Sequence, residues 1–99
     1  MGASKQLMIP DTALRNDEAV EIPRLWVLNS AAHVSLRVGV WNDPGTWGIM
    51  LADLARHVAN AYAQDKGLDR TETLGRIRLI LAAELNSPTD TPTGTVLNM

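Results

Sequence analysis

The sequence predicts an α+β domain in which an antiparallel β-hairpin is followed by two α-helices packed on one of its faces, in the order ββαα. Three observations carry that prediction. Apolar and polar residues alternate with a period of two through residues 34–40, and a second candidate strand stands just before them. Apolar residues recur at three- and four-residue steps through 43–66 and again through 70–86. The "GLD" at 67–69 is a short connection of the kind that joins antiparallel helices. Sheet and helices then each carry an apolar face, and a two-layer unit is the arrangement that buries both.

Residues 1–20 ("MGASKQLMIPDTALRNDEAV") mix small, charged and isolated apolar residues without a period and read as a flexible N-terminal arm. Within it, "LMIP" (7–10) suits a short extended stretch lying on another surface, ended by Pro10 and Asp11. The domain proper spans 21–87. In "IPRLWVLNSAAHVSLRVGVW" (22–41), Val34, Leu36, Val38 and Val40 alternate with Ser35, Arg37 and Gly39, and Leu25 and Val27 alternate with Arg24 and Trp26. A loop centred on residues 30 and 31 pairs Leu28 with His33, Trp26 with Ser35 and Arg24 with Arg37. Leu25 and Val27 then share a face with Val34, Leu36 and Val38. A loop one residue different turns every pair to the other face.

For the helix over 43–66, Asp43 is a good N-cap, Pro44 suits the first helical position and Gly67 suits the position just past the end. Trp47, Met50, Leu51, Leu54, Val58, Ala61 and Tyr62 form its apolar stripe. Gly45 and Gly48 lower its propensity by up to about 1 kcal/mol each relative to Ala, and are either tolerated or let another backbone come close. In the second helix, over 70–86, Asp69 is the cap and Glu72 completes a variant capping box. Leu74, Ile77, Leu81 and Leu85 make its buried stripe, and "NSP" (86–88) stops it. The Thr/Pro/Gly-rich remainder, 88–99, has little apolar surface to offset roughly 1–2 kcal/mol per residue of ordering entropy, and reads as a flexible tail.

At 99 residues, 45% hydrophobic and 20% charged, the chain has the size and composition of one small globular domain. Nine basic against eleven acidic residues supply no global basic stripe for neutralising phosphates, so nucleic acid is not an expected partner. The absence of cysteine removes disulfides, thiolate catalysis and cysteine-ligated metal. It fits a reducing compartment, and the expected setting is cytoplasmic. No stretch approaches the roughly 18 apolar residues of a membrane span, the N-terminus has no apolar signal segment, and Gln6 breaks the myristoylation pattern begun by Gly2.

Three sets of residues invite a functional reading. Arg24, His33 and Arg37 gather cations on the hairpin, suited to a phosphate, a carboxylate or an acidic partner side chain; the plainer reading is solvated charges on strand edges. Ile22, Trp26 and Leu28, with Trp41, add apolar and aromatic surface to that face, the composition of an interface core. Asp53, His57 and Asn60, with Gln64, fall within a sector of roughly 60° on the first helix. Asp53 and His57 stand as an orienting carboxylate and an imidazole base would, but no nucleophile shares the sector and a metal lacks a third ligand. The plainer reading is a solvated helix flank worth about 0.2–0.5 kcal/mol. The "WNDPGTW" at 41–47 carries neither phosphate-loop pattern, and reads as a structural corner with two tryptophan rings over the strand–helix junction.

"HVSL" (33–36), "WNDPGTWGIMLADLARHVANAY" (41–62) and "NSPTD" (86–90) together resemble a small family of alphaproteobacterial proteins known only as a domain of unknown function. The resemblance covers roughly residues 24–90. It implies a bacterial, cytoplasmic, stand-alone domain and carries over no activity, ligand or catalytic residue.

A lone two-stranded hairpin is marginal in water and leaves its edges unpaired. A homodimer that extends the sheet, or packs hairpins face to face, answers both difficulties. The expectation is therefore a non-enzymatic, homo-oligomeric protein-interaction domain, with an unidentified protein partner possible in place of self-association. It needs no cofactor or metal and engages neither nucleic acid nor membrane. The alternative is a small-anion or metabolite binder on the Arg24, His33 and Arg37 face, and an enzyme built on Asp53 and His57 stands third.

Overall fold

The computed structural model describes residues 5–89 and the backbone course of 93–97. Its elements, in chain order, are α1 (Asp11–Leu14), β1 (Pro23–Leu28), β2 (Ala31–Arg37), α2 (Gly45–Lys66), α3 (Arg70–Asn86) and β3 (Thr93–Leu97). Of the expected arm and tail, residues 1–4, 90–92 and 98–99 lie outside the described residues.

The hairpin forms, with a tighter turn than expected. Asn29 and Ser30 alone connect the strands, with φ of 54° and 64°. Two successive positive φ values are what a two-residue type I′ connection needs, and Asn tolerates that region better than most residues with a Cβ. Leu25 faces Val34, Trp26 faces His33 and Arg24 faces Ser35. Each partner is thus displaced by two residues from the expected pairing. Because side chains alternate with a period of two, the faces survive the shift. Pro23, Leu25, Val27, Ala32, Val34 and Leu36 share one wholly apolar face, and Arg24, Trp26, Leu28, Ala31, His33 and Ser35 share the other.

The helix signals are realised. The Asp43 side chain accepts from the Gly45 backbone N–H at 2.9 Å, and a Cβ on Gly45 would stand 3.2 Å from that same carboxylate oxygen. Gly67 adopts φ 67° and its N–H donates to the Ala63 carbonyl at 3.2 Å, closing α2 with a left-handed residue. Asp69 accepts from the Glu72 N–H at 2.9 Å, the main-chain half of the expected box. A Cβ on Gly48 would meet nothing within 4 Å, so no backbone approaches it closely.

The expected ββαα order is realised, an antiparallel hairpin followed by two helices. One difference is that α2 and α3 stand off the hairpin. The strands contact strands and α2 contacts α3, while no helix Cα comes within 8 Å of a strand Cα. The apolar faces are where the pattern puts them, but residues 38–44 lead the helix pair away from the sheet instead of across it. Consequently the expected stripes stay largely open. Ala59 is the only buried residue among those described, Leu74 and Ile77 are half-buried, and Leu81 and Leu85 are exposed.

Within the segment 88–99, expected as a tail, residues 93–97 form a strand. β3 pairs parallel to β2, so the sheet order is β1-β2-β3 with β2 in the centre. Thr93, Thr95 and Val96 are β-branched and suit a strand, and a ladder against β2 offsets the ordering entropy that weighed against structure there. The helix pair is therefore the crossover that parallel strands require.

These arrangements leave an open molecule. The chain exposes 8701 Å², whereas a compact monomer of this mass exposes about 5,500 Å². Its radius of gyration is 15.5 Å, against about 13 Å for a compact chain of this length.

Candidate functional site

The polar face of the hairpin is organised by a residue that the sequence pattern did not single out. Glu21 stands just before β1. Its carboxylate takes the Arg24 guanidinium through two bonds, Nη2 to Oε1 at 2.8 Å and Nε to Oε2 at 3.2 Å. Its carbonyl oxygen accepts from Arg37 Nε at 3.0 Å, and the neighbouring Ile22 carbonyl accepts from the Arg37 backbone N–H at 2.8 Å. Arg24 and Arg37 thus flank a cleft of about 240 Å³, lined also by Glu21, Ile22 and Ser35. The available clue was a carboxylate three residues before Arg24, although that spacing is usually read on helices.

The remaining residues of the Arg/His and interface sets divide between two places. His33 faces Trp26 across the hairpin, and Leu28 faces Ala31, so both belong to the face that carries Arg24. His33 does not line the cleft between the arginines. Trp41 lies apart from the hairpin face. Its ring meets that of Trp47 edge to face, with centroids 5.5 Å apart and planes at 83°. The two rings form the corner between β2 and α2, as the "WNDPGTW" reading expects.

On α2, Asp53, His57 and Asn60 are all exposed. Asp53 pairs with Arg56 Nη1 at 3.5 Å, and Asn60 accepts from Arg70 Nη1 at 3.4 Å, tying α2 to the start of α3. No hydrogen bond links Asp53 to His57 among these described residues, and His57 lines neither the arginine cleft nor the groove between the helices. Among the described residues no three of His, Cys, Asp or Glu could hold a metal ion. None of their helices is long and apolar enough to cross a membrane.

The apolar features are larger. No helix Cα among the described residues lies within 8 Å of the strands of the hairpin, and on its face opposite the arginines Leu25 and Val27 are 63% and 77% exposed while Val34 and Leu36 are half-buried. The groove between α2 and α3 is a second cleft, of about 510 Å³, lined by the apolar Val58, Tyr62, Leu68 and Ile77 and by the polar Asp69, Glu72, Thr73 and Arg76. At 100° per residue Leu51 shares the Val58 and Tyr62 side of α2 within about 40°. Ile80 extends the same groove one turn along α3 from Arg76 and Ile77. Ala55, Ala59 and Ala63 lie about 80° further round α2; Ala59 is buried and the other two are half-buried, and small side chains there let two helices approach closely.

Comparison with known proteins bears on the whole of this unit. Residues 6–89 match a family model described as Domain of unknown function (DUF5076), and the chain belongs to that family. A solved structure from the photosynthetic bacterium Rhodopseudomonas palustrus CGA009, provisionally described as a pyruvate dehydrogenase, is similar to it. The two are 34% identical, with a TM-score of 0.73 over 94% of this chain and 95% of the other. No curated protein matches the chain.

Proposed function

We propose that this member of the DUF5076 family is a non-enzymatic, homo-oligomeric interaction domain whose working form is an assembly of its own copies. The observation that supports it is the deficit of burial: Ala59 alone is buried among the described residues, and the chain exposes 8701 Å². The excess over a compact monomer is about 3,000 Å², several times the roughly 800 Å² that each partner contributes to a standard interface. Burial on that scale characterises obligate partners, whose interfaces resemble a domain core divided between two chains. A cysteine-free chain also suits a reducing cytoplasm.

Native mass spectrometry and light scattering on the purified protein test this directly. The expected result is a defined oligomer at micromolar concentration. A monomer that unfolds cooperatively and independently of concentration would remove the reading. Within the oligomer, Trp26→Ala is expected to weaken association if Ile22, Trp26 and Leu28 add a second contact beside the apolar face.

A second reading rests on the cleft between Arg24 and Arg37, which suits a small carboxylate or phosphate displacing the Glu21 carboxylate. Phosphate and short dicarboxylates are then expected to raise the melting temperature in the wild type and not in Arg37→Ala. Equal behaviour of the two proteins would discard it. The pyruvate dehydrogenase description belongs to the Rhodopseudomonas protein and brings no catalytic reading to this chain.

A further inference from the structure

We infer that the apolar face of the hairpin is covered by the α2/α3 groove of a second copy of the chain, so that each protomer's sheet forms a two-layer core with its partner's helices. This rests on the homo-oligomeric reading above and specifies which surfaces meet. The sheet side is Leu25, Val27, Val34 and Leu36, a face with no polar residue between its strands. The helix side is the groove that Val58 and Tyr62 line beside Asp69, Glu72 and Arg76, continued by helical periodicity to Leu51 and Ile80, of which Leu51 is 53% exposed.

Four observations favour this occupant. Both surfaces are open within one chain: among the described residues no helix Cα lies within 8 Å of a strand Cα, β1 is exposed along its length, and Val34 and Leu36 of β2 are only half-buried. A sheet face of this composition has helix-on-sheet packing as a standard solution, and the chain carries one unpartnered surface of each kind. Their sizes match: the six residues of β1 extend about 20 Å and the 22 residues of α2 about 33 Å, so one helix pair spans the hairpin. Exchange is also reciprocal. In a two-fold dimer the same contact occurs twice, which is the way to cover an excess several times one standard interface.

The absence of native cysteine makes the test clean. Val27→Cys and Leu51→Cys are made in separate chains carrying tags of different mass, co-produced as full-length protein and oxidised. Gln64→Cys, on the polar side of α2, replaces Leu51→Cys as the control. The expected result is a mixed-tag disulfide between positions 27 and 51, severalfold above the 27–64 control. Wild-type protein gives an independent readout without substitution. A mixture of isotope-labelled and unlabelled chains is expected to show intermolecular contacts from the Leu25 and Val27 methyls to the Tyr62 ring and Val58 methyls.

A dimer in which position 27 links to itself, or to Met8→Cys on the apolar N-terminal stretch, with no contact to the helices, overturns the inference and leaves the homo-oligomeric reading standing. A monomeric wild type overturns both.

Discussion

The helix pair and the hairpin solve the same problem to different extents. In α2 and α3 the ends are capped by Asp43, Gly67 and Asp69, the backbone is bonded within each helix, and one alanine stripe is packed well enough to bury Ala59. In the hairpin the turn and the ladder are equally complete, yet no residue of β1 or β2 is buried. Hydrogen bonding is therefore satisfied inside the chain in both regions, while hydrophobic burial is only begun in each: Ala59 is buried in α2, β2 is half-buried throughout, and β1 stays exposed. Backbone pairing contributes modestly to net stability, and burial of apolar surface is the main force that drives folding. β1, exposed along its whole length, is the part whose apolar residues the chain itself leaves most open.

The strongest way to break that contrast is to place a charge on the exposed strand. Val27→Asp is expected to destabilise the assembly by about 3–5 kcal/mol, the cost of an unpaired charge in a covered site, and to yield monomer or unfolded chain. Sedimentation and urea titration measure it, and an effect below about 0.5 kcal/mol would mean that Val27 remains in water. Ala59→Leu probes the helix side, where overpacking is expected to cost about 1–3 kcal/mol in urea unfolding. A neutral result would mean that α2 and α3 are not held at the observed separation.

Smaller effects sharpen the local half of the comparison. Asp69→Ala is expected to cost about 1 kcal/mol through loss of the α3 cap, read as a lower thermal midpoint with the oligomer intact. Ser30→Gly is expected to gain about 0.5–1 kcal/mol, because Gly reaches φ near 64° without a Cβ penalty. A loss would show that the turn differs in solution. Arg24→Ala breaks an exposed pair with Glu21 and is expected to change stability by less than about 0.5 kcal/mol. A larger loss would mark that pair as part of a covered interface.

The sequence was legible wherever the physics is local. Asp43, Gly67 and Asp69 identify helix ends because caps are settled within a few residues, and the period of two assigned the hairpin faces correctly despite a register displaced by two. What escaped was non-local or small. Asn29 and Ser30 form a type I′ turn without the glycine that usually announces one. β3 draws its stability from a ladder to β2 and not from its own composition. Glu21 organises the two arginines from outside the strand, and no spacing rule for strands points to it. Most consequential, apolar periodicity marks Leu25 and Val34 as sharing an apolar face but carries no information on how closely α2 and α3 approach that face.

The edge-to-face contact of Trp41 and Trp47 has an optical consequence. Two indoles with centroids 5.5 Å apart couple their excited states, so the strand–helix corner carries its own circular-dichroism signature. Trp26, the third tryptophan, sits alone on the hairpin and reports by fluorescence on the sheet. With no phenylalanine and a single tyrosine in the chain, the two signals are little obscured. Unfolding followed at both should give superimposable curves if sheet and helices melt as one cooperative body, and two separate curves if they are held together only by a linker.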